Sequence, residues 1–204
     1  MKSGLLICGC LLALCTMPAK AQTTGHSHGP HKEQQPAQSG LQPGRLSIPD
    51  VEVLNQDGKK QRLFTDLVKG RKVVINFIYT TCTAYCPLTG DNFARLQALL
   101  GERLGKDVYL LSITTDPETD TPAKLKTWSE RYGPKTGWTF VTGETPAMQT
   151  LLRAFLGEGP RRGFHTPVAF LVDNKNGGWQ RTFGLEQPAK LVEMLDQMSV
   201  QAKE

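Results

Sequence analysis

Cys82 and Cys86, separated by three residues, are the pair in this sequence best placed to do chemistry. They stand in the stretch Asn76-Phe-Ile-Tyr-Thr-Thr-Cys82-Thr-Ala-Tyr-Cys86-Pro87. An apolar, β-branched run from Val73 to Tyr79 comes before them and a helical pattern after. Backbone N–H groups and the positive end of a helix dipole favour an anionic sulfur, so the thiol pKa is expected to fall at such a place. Cysteines at i and i+4 can turn both sulfurs to one side of a loop entering a helix. Such a pair offers the soft donors that Cu(I) prefers, and it can also close a Cys82–Cys86 disulfide. A bridge across so short a loop removes little chain entropy, which favours a functional pair over a purely structural one. Tyr85, inside the loop, is expected to shield one sulfur.

His165 precedes the apolar run Val168–Asp173. A lone histidine in that position packs or faces solvent by default. If its strand neighbours the one that delivers the cysteines, the ring can instead stand over them as a third, borderline ligand. Two sulfurs and a nitrogen suit three-coordinate Cu(I) or a tetragonal Cu(II) site with further ligands.

The elements that must position these groups follow from periodicity. Val51–Asn55 reads as a strand entering a turn at Gln56-Asp57-Gly58-Lys59, because Asp-Gly supplies the positive φ of hairpin turns. Phe64–Val68 suggests a short helical turn stopped by Gly70. Lys72–Tyr79 is a continuous apolar run, as expected of a central strand covered on both faces. Leu88, Phe93, Leu96, Leu99, Leu100 and Leu104 recur at helical spacing behind Pro87, which suits a first turn. Asp107–Thr115 is a second buried strand, and Thr121-Pro122 opens a helix running towards Tyr132-Gly133. Trp138–Val141 is a short strand, and Thr145-Pro146 repeats the cap-and-proline opening of a helix ending near Gly157. Val168–Asp173 and Trp179–Phe183 form a hairpin about a turn at 174–178, and Pro188–Ala202 is the closing helix. Alternating strands and helices imply an α/β chain with a central mixed sheet flanked by helices and an N-terminal β-hairpin extension. A thioredoxin-like fold fits this order, with the cysteines at the carboxyl end of a central strand, where open α/β sheets place their chemistry. Trp128, Trp138 and Trp179 are read as core or edge packing, and Asp116 and Asp120 as capping or turn residues.

The chain divides into three parts. Residues 1–21 read as an export signal: Lys2, an apolar run from Leu5 to Met17, and Ala19-Lys20-Ala21 as cleavage site before Gln22. The run is shorter than the roughly 20 residues a membrane span needs. Cleaved export to the periplasm is therefore favoured over an N-terminal membrane anchor or a lipoprotein acylated at Cys15 or Cys10. Residues 22–46 are polar and rich in Gly, Pro, Gln and Ser, and are expected to be a disordered linker. That linker holds His26, His28 and His31, either a solvated tail or a weak metal-collecting one. Residues 47–204 form the folded domain. Of the five cysteines, Cys8, Cys10 and Cys15 lie in the signal, which excludes a multi-bridge scaffold. Without Lys2 and Lys20 there are 22 Lys+Arg against 19 Asp+Glu, a net charge of about +3. That excess, with no interleaving of basic and aromatic residues, gives no support to nucleic-acid binding.

From about Leu46 to Gln197 the chain resembles the SCO/SenC family of copper-handling, thioredoxin-fold proteins. The resemblance is carried by Asp57-Gly58-Lys59, Val74-Ile-Asn-Phe-Ile-Tyr-Thr-Thr-Cys82, Cys-x-x-x-Cys-Pro, Ser112-Ile-Thr-Thr-Asp116-Pro-Glu-Thr-Asp120-Thr-Pro122, Trp138-Thr-Phe-Val-Thr-Gly143, and His165 eight residues before Asp173. It implies copper held by Cys82, Cys86 and His165. It further implies delivery to the binuclear copper site of cytochrome c oxidase, the partner being that enzyme's copper-bearing subunit or another copper protein. The alternative is a thiol–disulfide oxidoreductase using Cys82 and Cys86, which would reduce the cysteines of that copper site and work with a thiol-reductase partner. On this reading the protein is a metallochaperone before it is an enzyme, and it meets the membrane only indirectly.

Three features depart from the family pattern. Thr83 replaces the usual proline after the first cysteine, and no membrane-spanning N-terminal helix is expected. Thr166-Pro167 follows His165 like the cis-proline facing the dithiol in thioredoxin-like reductases, which adds weight to thiol chemistry.

Overall fold

The computed structural model of the protein describes residues 46–157 and 167–201. The segment read as an export signal and nearly all of the histidine-containing linker lie outside the described residues, as do His165 and Thr166. No helix among the described residues is long and apolar enough to cross a membrane.

Among the described residues seven strands form one mixed sheet: β1 (Glu52–Asn55), β2 (Lys60–Arg62), β3 (Lys72–Ile78), β4 (Val108–Thr114), β5 (Trp138–Thr142), β6 (Val168–Asp173) and β7 (Trp179–Phe183). They lie in the order β2-β1-β5-β4-β3-β6-β7. β3, β4 and β5 are parallel at the centre, whereas β6 runs antiparallel to β3 with Asn76 opposite Ala169. That register sets the start of β6 beside the carboxyl end of β3, which is the neighbour relation expected for the strand that His165 precedes.

Among the described residues four α-helices cover the sheet: α1 (Tyr85–Leu100), α2 (Pro122–Glu130), α3 (Thr145–Leu156) and α4 (Pro188–Gln201). Alternation along β3 divides its side chains between two cores. Val74 and Ile78 pack with Phe93 and Leu96 of α1, Trp128 of α2, Leu195 of α4 and both cysteines. Val73 and Ile75 face the opposite side, with Leu151 and Phe155 of α3 and with Leu63 and Leu67. Both faces are therefore apolar, which is why β3 reads as an unbroken hydrophobic run. Trp128 and Trp138 are buried, and Trp179 stacks on Phe170, so the three tryptophans pack as expected.

Local signals explain most boundaries. The β1–β2 turn closes as Asn55 Oδ1 accepts from the N–H groups of Asp57 (3.0 Å) and Lys59 (2.8 Å), with Gly58 at φ 78°. Thr121 caps α2, its hydroxyl accepting from Lys124 N at 3.3 Å.

Other boundaries move. The helical turn expected over Phe64–Val68 is a single π turn, Leu63–Val68, whose exit N–H at Lys69 donates to Phe64 O at 2.8 Å. Thr145 is the first helical residue of α3 rather than its cap, and Glu144 in the cap position makes no side-chain cap. Helix α1 starts at Tyr85, ahead of Pro87, so Cys86 is inside the helix.

A dithiol at the mouth of the central strand

β3 carries the chain through the core and releases it at Ile78. The next residues form a tight turn, with Cys82 N donating to Tyr79 O at 3.1 Å. The path then enters α1, whose N–H at Cys86 points back and donates to Cys82 Sγ at 3.3 Å. This is the helix-start anion stabilisation expected from the spacing, now with a defined donor. Both cysteines are free thiols, only 8% and 6% exposed.

The two sulfurs differ in acidity. Burial works to raise the Cys82 pKa. The Cys86 thiol and N–H, the Tyr79 phenol and the Ala84 backbone outweigh it and bring Cys82 below the ordinary thiol value. Burial pushes Cys86 up to about 12, helped by its hydrogen bond to Cys82 and by the negative charge there. The hydrogen bond to Cys82, followed by burial, pushes Tyr79 up to about 12 as well. The dithiol is thus unequal: Cys82 is the more acidic sulfur, and Cys86 and Tyr79 keep their protons as it ionises. Tyr85 is 45% exposed, and the phenol bonded to the sulfur belongs to Tyr79. Sequence reasoning overlooked Tyr79 because it reads as the last residue of an apolar strand.

A buried carboxylate fixes the start of the loop. Asp120, fully buried, accepts from Thr80 N at 3.1 and 3.2 Å, from the Thr80 hydroxyl and from the Thr114 hydroxyl. Thr115 N donates to Ile78 O at 2.8 Å, tying the same exit to the end of β4. Asp116 has the expected turn role, its carbonyl accepting from Thr119 N and Asp120 N. Asp120 does more than a turn residue: it bridges two strand ends.

The sequence-predicted residues Cys82 and Cys86 are brought together, while His165 and the Thr166–Pro167 bond lie outside the described residues. Among the described residues no third His, Cys, Asp or Glu joins the pair in a metal-holding group. The donor set still fits a soft metal: two adjacent thiols, the more acidic one accepting a backbone N–H at a helix start.

The fold and site define a thioredoxin-like domain with a dithiol at the carboxyl end of its central strand. The SCO1/SenC family profile matches residues 45–199, and the chain belongs to that family. Among its relatives, the "Putative copper-binding protein" of Stutzerimonas stutzeri is 33% identical over 114 residues, 56% of this chain and 54% of the relative. The "SCO1 protein homolog" of Bacillus subtilis is 36% identical over 127 residues, 58% of this chain and 64% of the relative. The aligned region is thus between half and two thirds of those relatives' length. Solved structures agree on the fold. A putative electron transport protein from Aquifex aeolicus superposes with a TM-score of 0.64 at 25% identity, covering 76% of this chain and 96% of that one. Copper-bound ScoI of Arabidopsis thaliana gives 0.61 at 18% identity, covering 80% and 98%.

Proposed function

We propose that the chain binds one copper ion through Cys82, Cys86 and His165 and passes it to the binuclear copper site of cytochrome c oxidase. The observation that carries this reading is the unequal dithiol at a helix start: Cys86 N donates to Cys82 Sγ at 3.3 Å, and Cys82 ionises before Cys86. Cys82 ionises first and offers its electron pair, and Cys86 joins as it gives up its proton to solvent. Soft thiolates are the preferred donors of Cu(I), and the relative named "Putative copper-binding protein" supports that cargo. His165 supplies the third donor from the segment leading into β6. The protein acts in the periplasm after cleavage at residue 21, with residues 22–46 as a tether.

The dithiol's acidity also favours a second reading, a thiol–disulfide oxidoreductase. Cys82 attacks a target disulfide to form a mixed disulfide, releasing one target thiolate. Cys86 then loses its proton and closes Cys82–Cys86, releasing the second, so two electrons pass from dithiol to target.

Anaerobic copper titration separates the two. The reduced protein, with His26, His28 and His31 replaced by alanine, should bind one copper tightly, and His165→Ala should weaken that binding by at least about tenfold. No tight copper, or affinity indifferent to His165, would sink the copper reading and leave reductase assays to test the second.

A further inference from the structure

Beside the start of the Cys loop, an open groove of about 300 Å³ runs along α2. It is lined by Thr80, two residues before Cys82, and by Ala123, Lys124, Thr127, Trp128 and Arg131. Charges are sorted along this helix. Glu130 acts on Lys126, which pairs with Asp57 at 2.9 Å outside the groove. Lys124 and Arg131, seven residues apart with Thr127 between, both line the groove. The Lys124 ammonium rests on the Thr119 carbonyl at 2.9 Å. The carboxylate behind Thr80 belongs to Asp120, fully buried and bonded to Thr80 and Thr114. Trp128, 1% exposed, lines the groove too, and its buried indole N–H has no acceptor among the described residues. Two cations and the Thr127 hydroxyl make a lining that offers hydrogen bonds to a ligand and asks for negative charge.

We propose that this groove receives an acidic side chain, Asp or Glu, from the protein that docks over Cys82. The identity of that protein rests on the copper-transfer reading. A protein suits the place better than a free ion, because Tyr85 and Leu88 present exposed apolar surface, 45% and 51%, from the first turns of α1. A partner facing Cys82 meets apolar residues from α1 and a cationic groove from α2. Such a division orients docking and speeds encounter more than it adds affinity.

The test needs no copper, so its failure is distinct from failure of the copper titration. The protein, ¹⁵N-labelled and reduced, is titrated with an acetylated hexaglutamate peptide while the Trp128 indole and α2 amide signals are followed. The expected result is a saturable shift of the Trp128 indole. It should weaken with added salt and become at least about tenfold weaker in Lys124→Glu/Arg131→Glu, a change of exposed side chains. Absence of that shift, or a shift indifferent to salt and to charge reversal, would overturn the proposal. Inorganic phosphate producing the same shift at equal or lower concentration would also overturn it, because the groove would then take small oxyanions rather than an acidic side chain.

Discussion

The backbone N–H of Cys86 donates to the sulfur of Cys82 at 3.3 Å, across the first turn of α1. That bond is one of several causes that make the two thiols unequal: the residue that stabilises the Cys82 anion is the one whose own thiol stays protonated. The loop sequence supplies the i, i+4 spacing. The early helix start at Tyr85 turns the Cys86 N–H towards the sulfur.

Tyr79→Phe removes one of the groups that hold Cys82 as an anion. A hydrogen bond to a charged group is worth about 1.5–3 kcal/mol, so the Cys82 pKa should rise by about one unit or more. Thiolate absorbance against pH, in metal-free protein carrying Cys86→Ser in both backgrounds, measures the difference. An unchanged titration curve would remove Tyr79 from the site.

Alkaline stability follows from the two raised groups. Cys86 and Tyr79 keep their protons up to about 12 in the fold, whereas in the unfolded chain they ionise near 9 and 10. The native state then holds more protons, so stability is full below pH 9 and falls as pH rises through that window. The slope is about 1.4 kcal/mol per pH unit for each group. Cys82 works in the opposite sense, since its lowered pKa contributes stability above the unfolded value that is lost as pH falls through the folded one. Urea unfolding of the reduced, metal-free protein between pH 8 and 12 should therefore show a steep decline, made shallower by Tyr79→Phe.

Asp120→Ala leaves the Thr80 N–H and the Thr80 and Thr114 hydroxyls without their acceptor. Losing the acceptor of several buried donors should cost about 3 kcal/mol, read as a lower urea midpoint at unchanged slope. The Thr80 and Cys82 amides should exchange faster than those of β3, because the clamp holds the loop and not the strand. A loss spread evenly over the sheet would refute a local role.

Gly90→Ala tests packing against propensity. Alanine is the better helix former by about 1 kcal/mol, and Gly90 lies within α1. A β-carbon there would meet the Tyr132 ring at 2.3 Å, so the ring must move or the helix must shift. Overpacking of this kind costs about 1–3 kcal/mol, and a net loss of stability is expected in thermal or urea unfolding.

Much of this protein is written locally. The unbroken run of β3, the Asp57-Gly58 turn, the Thr121 cap and the cysteine spacing each act through neighbours within a few residues, where backbone preference and side-chain period dominate. These features placed the dithiol at a strand end and a helix start, and implied the mixed sheet around it. Tertiary structure alone decided which sulfur carries the charge, because the deciding groups are Tyr79's phenol, the N–H presented by a helix that begins before Pro87, and the depth of burial. It also turned Asp120 from a turn residue into a clamp on Thr80, 40 positions away, and set Tyr132 against Gly90. No periodicity encodes such contacts. They arise where two segments are pressed together by a shared core, and their energies depend on distances that only the folded chain defines.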